Sequence, residues 1–172
     1  PKAVSYLAEF LQDGRNSNMS ALILDGRIVR EARIPELIKR ISTLPHAPAL
    51  AIIQVGDRDD SNAYIKAKKI FAKKIGVKIE HIQLSETVSQ ADIIATVTRC
   101  NKDPRITGII VQFPLPEGVD RDIVINTIDP RKDADGLTAY NVVPATARGV
   151  RELLVHYKID LAGKKVVVIG RS

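Results

Sequence analysis

The tightest constraint on this chain is the stretch ALAIIQVG at residues 49–56. A continuous apolar run of that length, closed by glycine, reads as a strand buried on both faces. Such a strand needs helices above and below it, and helix signals follow at once. In DRDDSNAYIKAKKIFAKKI, residues 57–75, the N-cap types Asp59, Asp60 and Ser61 precede a run of good helix formers that stops at Gly76. VKIEHIQL (77–84) reads as a second strand, and Ser89 with Asp92 makes a capping box before the helix DIIATVTRC. ITGIIVQFPLP (106–116) is a third buried strand ended by Pro114 and Pro116, which cannot donate to a ladder, and 119–128 is a short helix. Alternation of this kind predicts βαβ units, hence an α/β domain of three layers around a mostly parallel sheet.

The flanks carry shorter signals. Residues 1–14 suggest a short helix with Val4, Leu7, Ala8 and Leu11 on one side, stopped at Gly14. Met19 is the single methionine and a candidate native start, which leaves 1–18 as an extension without an assigned role. ALILDG (21–26) reads as a short strand and turn. IPELIKRISTL reads as an amphipathic helix with Pro35 in its first turn and Leu37, Ile38, Ile41 and Leu44 on one face. Near the other end, TARGVRELLVHY is a helix with Thr146 as N-cap and an apolar face of Val150, Leu153, Leu154 and Tyr157; VVVIG (166–170) is a buried strand. The division expected is an α/β domain over 19–145, then at 146–172 a linking helix and, because a strand running into glycine is how a dinucleotide-binding unit begins, the first strand of a Rossmann-type domain that is truncated here.

Composition narrows the function classes. At 172 residues, 45% hydrophobic and 27% charged, the balance is globular. No apolar run reaches the roughly 18 residues of a bilayer span, so no membrane partner is expected. One cysteine, Cys100, excludes an internal disulfide framework and suits a cytoplasmic protein, with the thiol read as a core residue; His46, His81 and His156 lack metal-site spacing, so no metal is expected. The net charge of +6 concentrates at Lys66, Lys68, Lys69, Lys73 and Lys74, but aromatics are only 4%. A solvated basic face or an anionic small ligand fits better than a nucleic-acid platform.

The helix over 57–75 carries the chemistry. Tyr64, Lys68, Phe71 and Ile75 follow i, i+4, i+7, i+11 spacing, which predicts one inward stripe holding a lysine. Burial and the neighbouring ammonium groups of Lys66, Lys69 and Lys73 favour a neutral amine suited to proton transfer, while a snorkelling lysine is the plainer alternative. Ligands of parallel sheets bind beyond the carboxyl ends of the strands. Three polar clusters fall there: Gly56–Ser61, Gln112–Pro116 and Asp133–Gly136. Each has a bland reading as well: Asp135 as a turn former, Gln112 as a strand-end hydrogen bonder, the glycines as turn residues.

Together these stretches resemble the bifunctional methylenetetrahydrofolate dehydrogenase/cyclohydrolase family. The resemblance rests on ILDG (23–26), VGDRDDSNAYIKAKKIFAKKIGV (55–77), GIIVQFPLP (108–116), KDADG (132–136) and PATARGVRELLVHYKIDLAGKKVVVIGRS (144–172), in the family's order. It implies catalytic roles for Tyr64 and Lys68 of the YxxxK motif and for Gln112 of the VQxPLP motif, with Asp135 of the DxDG motif on the pterin ring. Tyr64, Pro114 and Ser61 are implied at the substrate, and Gly170, Arg171 and Ser172 at an NADP cofactor. It further implies tetrahydrofolate derivatives as substrates and a homodimer. The alternative is a non-catalytic fragment or relative that binds folate or another anion. Two departures stand out: Asn141 runs almost directly into Val142-Val143-Pro144 where the family has a longer loop, and Ala147 stands where proline is common.

Overall fold

The computed structural model describes residues 22–138 and 143–168. The helix expected within 1–14, the Asn141–Val142 connection and the Gly170–Ser172 end lie outside the described residues. Helices α1 (Gly26–Ser42), α2 (Asp59–Ile75), α3 (Gln90–Lys102), α4 (Arg121–Thr127) and α5 (Ala145–His156) surround strands β1 (Ala49–Val55), β2 (Lys78–Leu84) and β3 (Gly108–Gln112). The sheet order is β2-β1-β3, with both pairings parallel. After Lys132 the chain returns to the edge of β3 through a parallel bridge between Ile109 and Asp133.

The two faces of the sheet differ in kind. Ala51, Ile53 and Val55 of β1 and Ile109 and Val111 of β3 join Ile93, Val97 and Cys100 of α3 and Val124 of α4 in one apolar core. Their sequence neighbours point the other way, as strand alternation requires. On that side lies α2, and α1 packs against α2 and α5. Helices on both faces make the three layers expected from the apolar runs.

Several local expectations are corrected. Residues 22–25 form no strand; Asp25 instead caps α1, its Oδ1 accepting from the Arg27 N–H at 2.8 Å. The helix therefore begins well before Pro35, which sits inside it. Its buried residues are Val29 and Ile34, with Leu37 and Ile41 half-buried, while Ile38 and Leu44 are exposed. In α2 the N-cap position is Arg58, without a side-chain cap, so Asp59, Asp60 and Ser61 occupy the first turn. There the two carboxylates favour the positive end of the helix dipole. β3 ends at Gln112, ahead of the prolines. The N-cap of α5 is Pro144, not Thr146, and Val150 is exposed, whereas Leu153, Leu154 and Tyr157 are half-buried. The Tyr157 hydroxyl accepts from the Asp25 N–H at 3.1 Å, tying α5 to the start of α1. Val166–Val168 form neither strand nor core: Val168 is 89% exposed. A strand exists only by pairing, and among the described residues nothing pairs with this one.

Candidate active site

In a parallel sheet ordered β2-β1-β3 the chain leaves β1 to one side and returns to the other, which opens a crevice beyond the carboxyl ends of β1 and β3. Gly56 makes the turn out of β1 at φ +74°, a conformation L side chains rarely adopt. The chain then enters α2. The inward residues of that helix are Ser61, Ile65 and Ala72, with half-buried Lys68 on the same i, i+4, i+7, i+11 stripe. The expected stripe of Tyr64, Phe71 and Ile75 is thus offset: Phe71 and Ile75 are half-buried on its flank, and Tyr64 is 66% exposed. Small residues on the true stripe explain the shift, because Ser61 and Ala72 let the helix approach the sheet closely. Lys68 stays on the inward side.

Its ammonium finds a specific partner there. Lys68 Nζ donates to Gln112 Oε1 at 2.9 Å, bridging α2 and the end of β3. The amide nitrogen of Gln112 is committed elsewhere, donating to the Phe113 carbonyl at 3.0 Å. Gln112 therefore offers Lys68 an acceptor only. The next peptide bond, Phe113–Pro114, is cis, and Pro114 is exposed in the loop beyond β3. Arg121, at the start of α4, sets its guanidinium 4.8 Å from the centre of the Phe113 ring.

The third cluster arrives along the edge of β3. Asp133 is 7% exposed and accepts from the N–H groups of Asp135, Gly136 and Thr138 and from the Thr138 hydroxyl. Burial alone would raise its pKa, but these four hydrogen bonds outweigh it and hold the carboxyl below the usual range. Asp135, two residues on, has the opposite environment. It is half-buried, its carboxylate accepts no hydrogen bond among the described residues, and burial pushes its pKa up against the pull of the Lys68 charge. Its main chain is fixed, the carbonyl accepting from the Ala145 N–H at 3.1 Å. A carboxylate held by its backbone, partly desolvated and without donors is prepared for donors from outside.

Two of the three clusters therefore meet at Lys68: Gln112 bonds to it directly, and Asp135 lies within reach of its charge, while Gly56–Ser61 leads into the helix that carries it. Tyr64 flanks them on α2 with its ring exposed and its hydroxyl unbonded among the described residues. Ser61 is buried in the first turn, its N–H donating to Asp60 Oδ1 at 2.7 Å. Gly170, Arg171 and Ser172 lie outside the described residues. Sequence reading passed over Gln54, 1% exposed inside the apolar run of β1, and named Asp133 within the third cluster without a role of its own; its loop-building role shows only in its partners. The visible signal for Gln54 was a lone amide in an otherwise apolar strand.

A cleft of about 890 Å³ opens at the other end of the sheet, lined by Leu44, His46, Lys78, Glu80 and Arg105 among others. It lies at the amino ends of the strands, away from Lys68. Among the described residues no group of His, Cys, Asp or Glu is arranged to hold a metal, and no helix is long and apolar enough to cross a membrane.

Fold and site together define an α/β domain of parallel topology with a lysine-centred polar site at its switch point. Residues 24–135 match the catalytic domain of the tetrahydrofolate dehydrogenase/cyclohydrolase family. The chain belongs to that family. It is 42% identical over 164 residues to the bifunctional protein FolD of Acidiphilium cryptum, an alignment covering 90% of this chain and 59% of the relative. Among solved structures, the Campylobacter jejuni bifunctional FolD dehydrogenase/cyclohydrolase superposes with a TM-score of 0.83 at 32% identity, covering 89% of this chain and 59% of that one. The Trypanosoma brucei methylenetetrahydrofolate dehydrogenase-cyclohydrolase, solved with NADP and an inhibitor, gives 0.84 at 33%, covering 90% and 58%. The chain thus spans a little under three fifths of the length of these relatives.

Proposed function

We propose that the protein to which this chain belongs oxidises methylenetetrahydrofolate to methenyltetrahydrofolate with NADP, then hydrolyses the methenyl cation to formyltetrahydrofolate. One observation carries the reading: Lys68, anchored on Gln112 at 2.9 Å, shares a crevice with a carboxylate, Asp135, that has no donor among the described residues. A pterin ring edge presents an amino group and a ring N–H, the paired donors such a carboxylate lacks. Binding them compensates the burial of Asp135 and fixes the ring in the crevice. Tyr64, exposed on the adjacent turn, supplies a ring face for the bound heterocycle.

NADP, when bound, supplies the hydride acceptor, and the protein's share of that step is orientation. Gly170, Arg171 and Ser172 offer backbone N–H groups, a guanidinium and a hydroxyl, a donor set that suits phosphate. Hydrolysis asks more of this chain. Water adds to the cationic one-carbon bridge and gives up both its protons as its oxygen becomes the formyl carbonyl, one of them released to solvent; one ring nitrogen gains a proton as its bond to that carbon breaks. Lys68 is the group in place to carry that proton, with Gln112 Oε1 accepting from its nitrogen as ammonium or as amine. We further propose Ser61 and Pro114 as shaping the floor and the loop of the folate pocket, a cytoplasmic homodimer as the working form, and no nucleic-acid partner.

Assay of the full-length protein tests the reading. Lys68→Gln should lower methenyltetrahydrofolate hydrolysis by roughly 10²–10⁴-fold, the range of a lost general acid–base group. It should spare part of the NADP-dependent oxidation, because hydride transfer needs no proton relay. Undiminished hydrolysis in this variant would remove Lys68 from the role.

A further inference from the structure

One row of side chains crosses the sheet on the α2 side, and of its members only Gln112 takes part in the steps above. In-register pairing sets Gln83 of β2, Gln54 of β1 and Gln112 of β3 at one level, so all three side chains emerge on the same face. Each ends on a different part of the β1–α2 unit. Gln83 Nε2 donates to the Gly56 carbonyl at 3.0 Å and to Asp57 Oδ1 at 3.2 Å. Gln54 Nε2 donates to Asn62 Oδ1 at 2.8 Å, and Gln112 Oε1 receives Lys68 at 2.9 Å. Asn62 Nδ2 in turn donates to Asp57 Oδ1 at 2.8 Å.

His81 completes the row. Its Nε2 lies 2.8 Å from Gln54 Oε1 and its Nδ1 lies 2.9 Å from Lys69 Nζ. The Gln54 amide nitrogen is committed to Asn62, so its oxygen accepts, which places the histidine proton on Nε2. Nδ1 then accepts from Lys69. Every partner in the chain from Lys69 to Asp57 is matched donor to acceptor.

A satisfied polar row that runs from exposed Gln83 through fully buried Gln54 to half-buried Gln112 adds little net stability over apolar packing, but it adds direction. Ile65 and Ala72 hold α2 down without fixing its rotation or height, since apolar contact is non-directional. A slip of α2 by one residue is about 1.5 Å along the axis and about 100° around it, enough to take Lys68 off Gln112. We propose that Gln54 is a positioning residue for Lys68: the glutamine row, extended by His81, holds α2 at the one rotation and height where the ammonium meets Gln112. The kinetic consequence rests on the proton-transfer role proposed for Lys68; the positional claim does not.

The test uses the full-length protein labelled with ¹³Cε-lysine, the Lys68 signal being assigned by its loss in Lys68→Gln. In the wild type the two Hε protons of Lys68 should be inequivalent, as for a side chain held in one place. In Gln54→Leu they should merge, and kcat for hydrolysis should fall by about a hundredfold, the scale of a misplacement near 1 Å, with KM little changed. His81→Gln, whose amide can still donate to Gln54 Oε1, should restore most of the loss seen in His81→Leu. If Gln54→Leu does not fold, Asn62→Ala breaks the same link from the helix side and is read in the same way. Inequivalent Hε signals with wild-type kcat in a folded variant would overturn the proposal, whatever the change in Tm. A wild type that hydrolyses nothing, yet whose Lys68 signals merge in Gln54→Leu, would leave the positioning intact and sink the enzymatic reading.

Discussion

Ile53 and Gln54 are neighbours on β1, 0% and 1% exposed, and they belong to two different constructions. Ile53 enters the apolar core under α3, where shape and volume decide the outcome. Gln54 enters the polar row under α2, where each atom has a named partner. Equal burial therefore says nothing of equal purpose. One face supplies cohesion, the other supplies bearings, and a single strand serves both by its twofold alternation.

This division can be broken or sharpened by substitution. The largest stability effect belongs to the apolar face: Ile53→Ala should cost about 2–5 kcal/mol in denaturant unfolding, while turnover per folded molecule stays at the wild-type value. A parallel fall in turnover would mean that the faces are not separable.

The two aspartates beside β3 give the next contrast. Asp133→Asn should cost about 1–3 kcal/mol at neutral pH, because it disturbs a buried acceptor with four donors. Its folded pKa is depressed, so the stabilisation is complete above the ordinary value of 3.8 and disappears as pH falls through the lower folded value. The gap between wild type and variant should close in that acid window, as followed by Tm against pH. Asp135 has the opposite sign and the smallest effect. Its folded pKa is raised, so relative stability is full below 3.8 and is lost as pH rises through the elevated value. Asp135→Asn should therefore raise Tm slightly at pH 7 while weakening the binding of a folate analogue. A lower Tm at pH 7 would show that the ionised carboxylate is already compensated.

Much of this was legible in the chain. The apolar runs that became β1 and β3 announced a sheet covered on both faces, and the Ser89–Asp92 box formed as written, with Ser89 Oγ accepting from the Asp92 N–H at 3.1 Å. Lys68, Gln112 and Asp135 could be brought to one end because strand ends in a parallel sheet share an edge. What escaped was phase and partnership. The α2 stripe was drawn through its largest side chains, whereas close packing selected the small ones, Ser61 and Ala72. Pro35 read as a helix start because its missing N–H suits a first turn; in the fold, Asp25 nucleates the helix earlier and runs it past the proline. Gln54 could not be valued without knowing that Asn62 and His81 lie within 2.8 Å. Hydrogen-bond partners far apart in sequence leave no local trace.

The chain's one thiol, Cys100, sits in the apolar core at the end of α3, and burial pushes its pKa upward. Thiolate is the reactive form, so in the closed molecule this sulfur is both shielded and chemically quiet. The chain thereby carries its own clock: each disulfide-exchange event at Cys100 registers one opening of the cohesive face, and a ligand bound beside Lys68 should slow it only as far as the two faces open together.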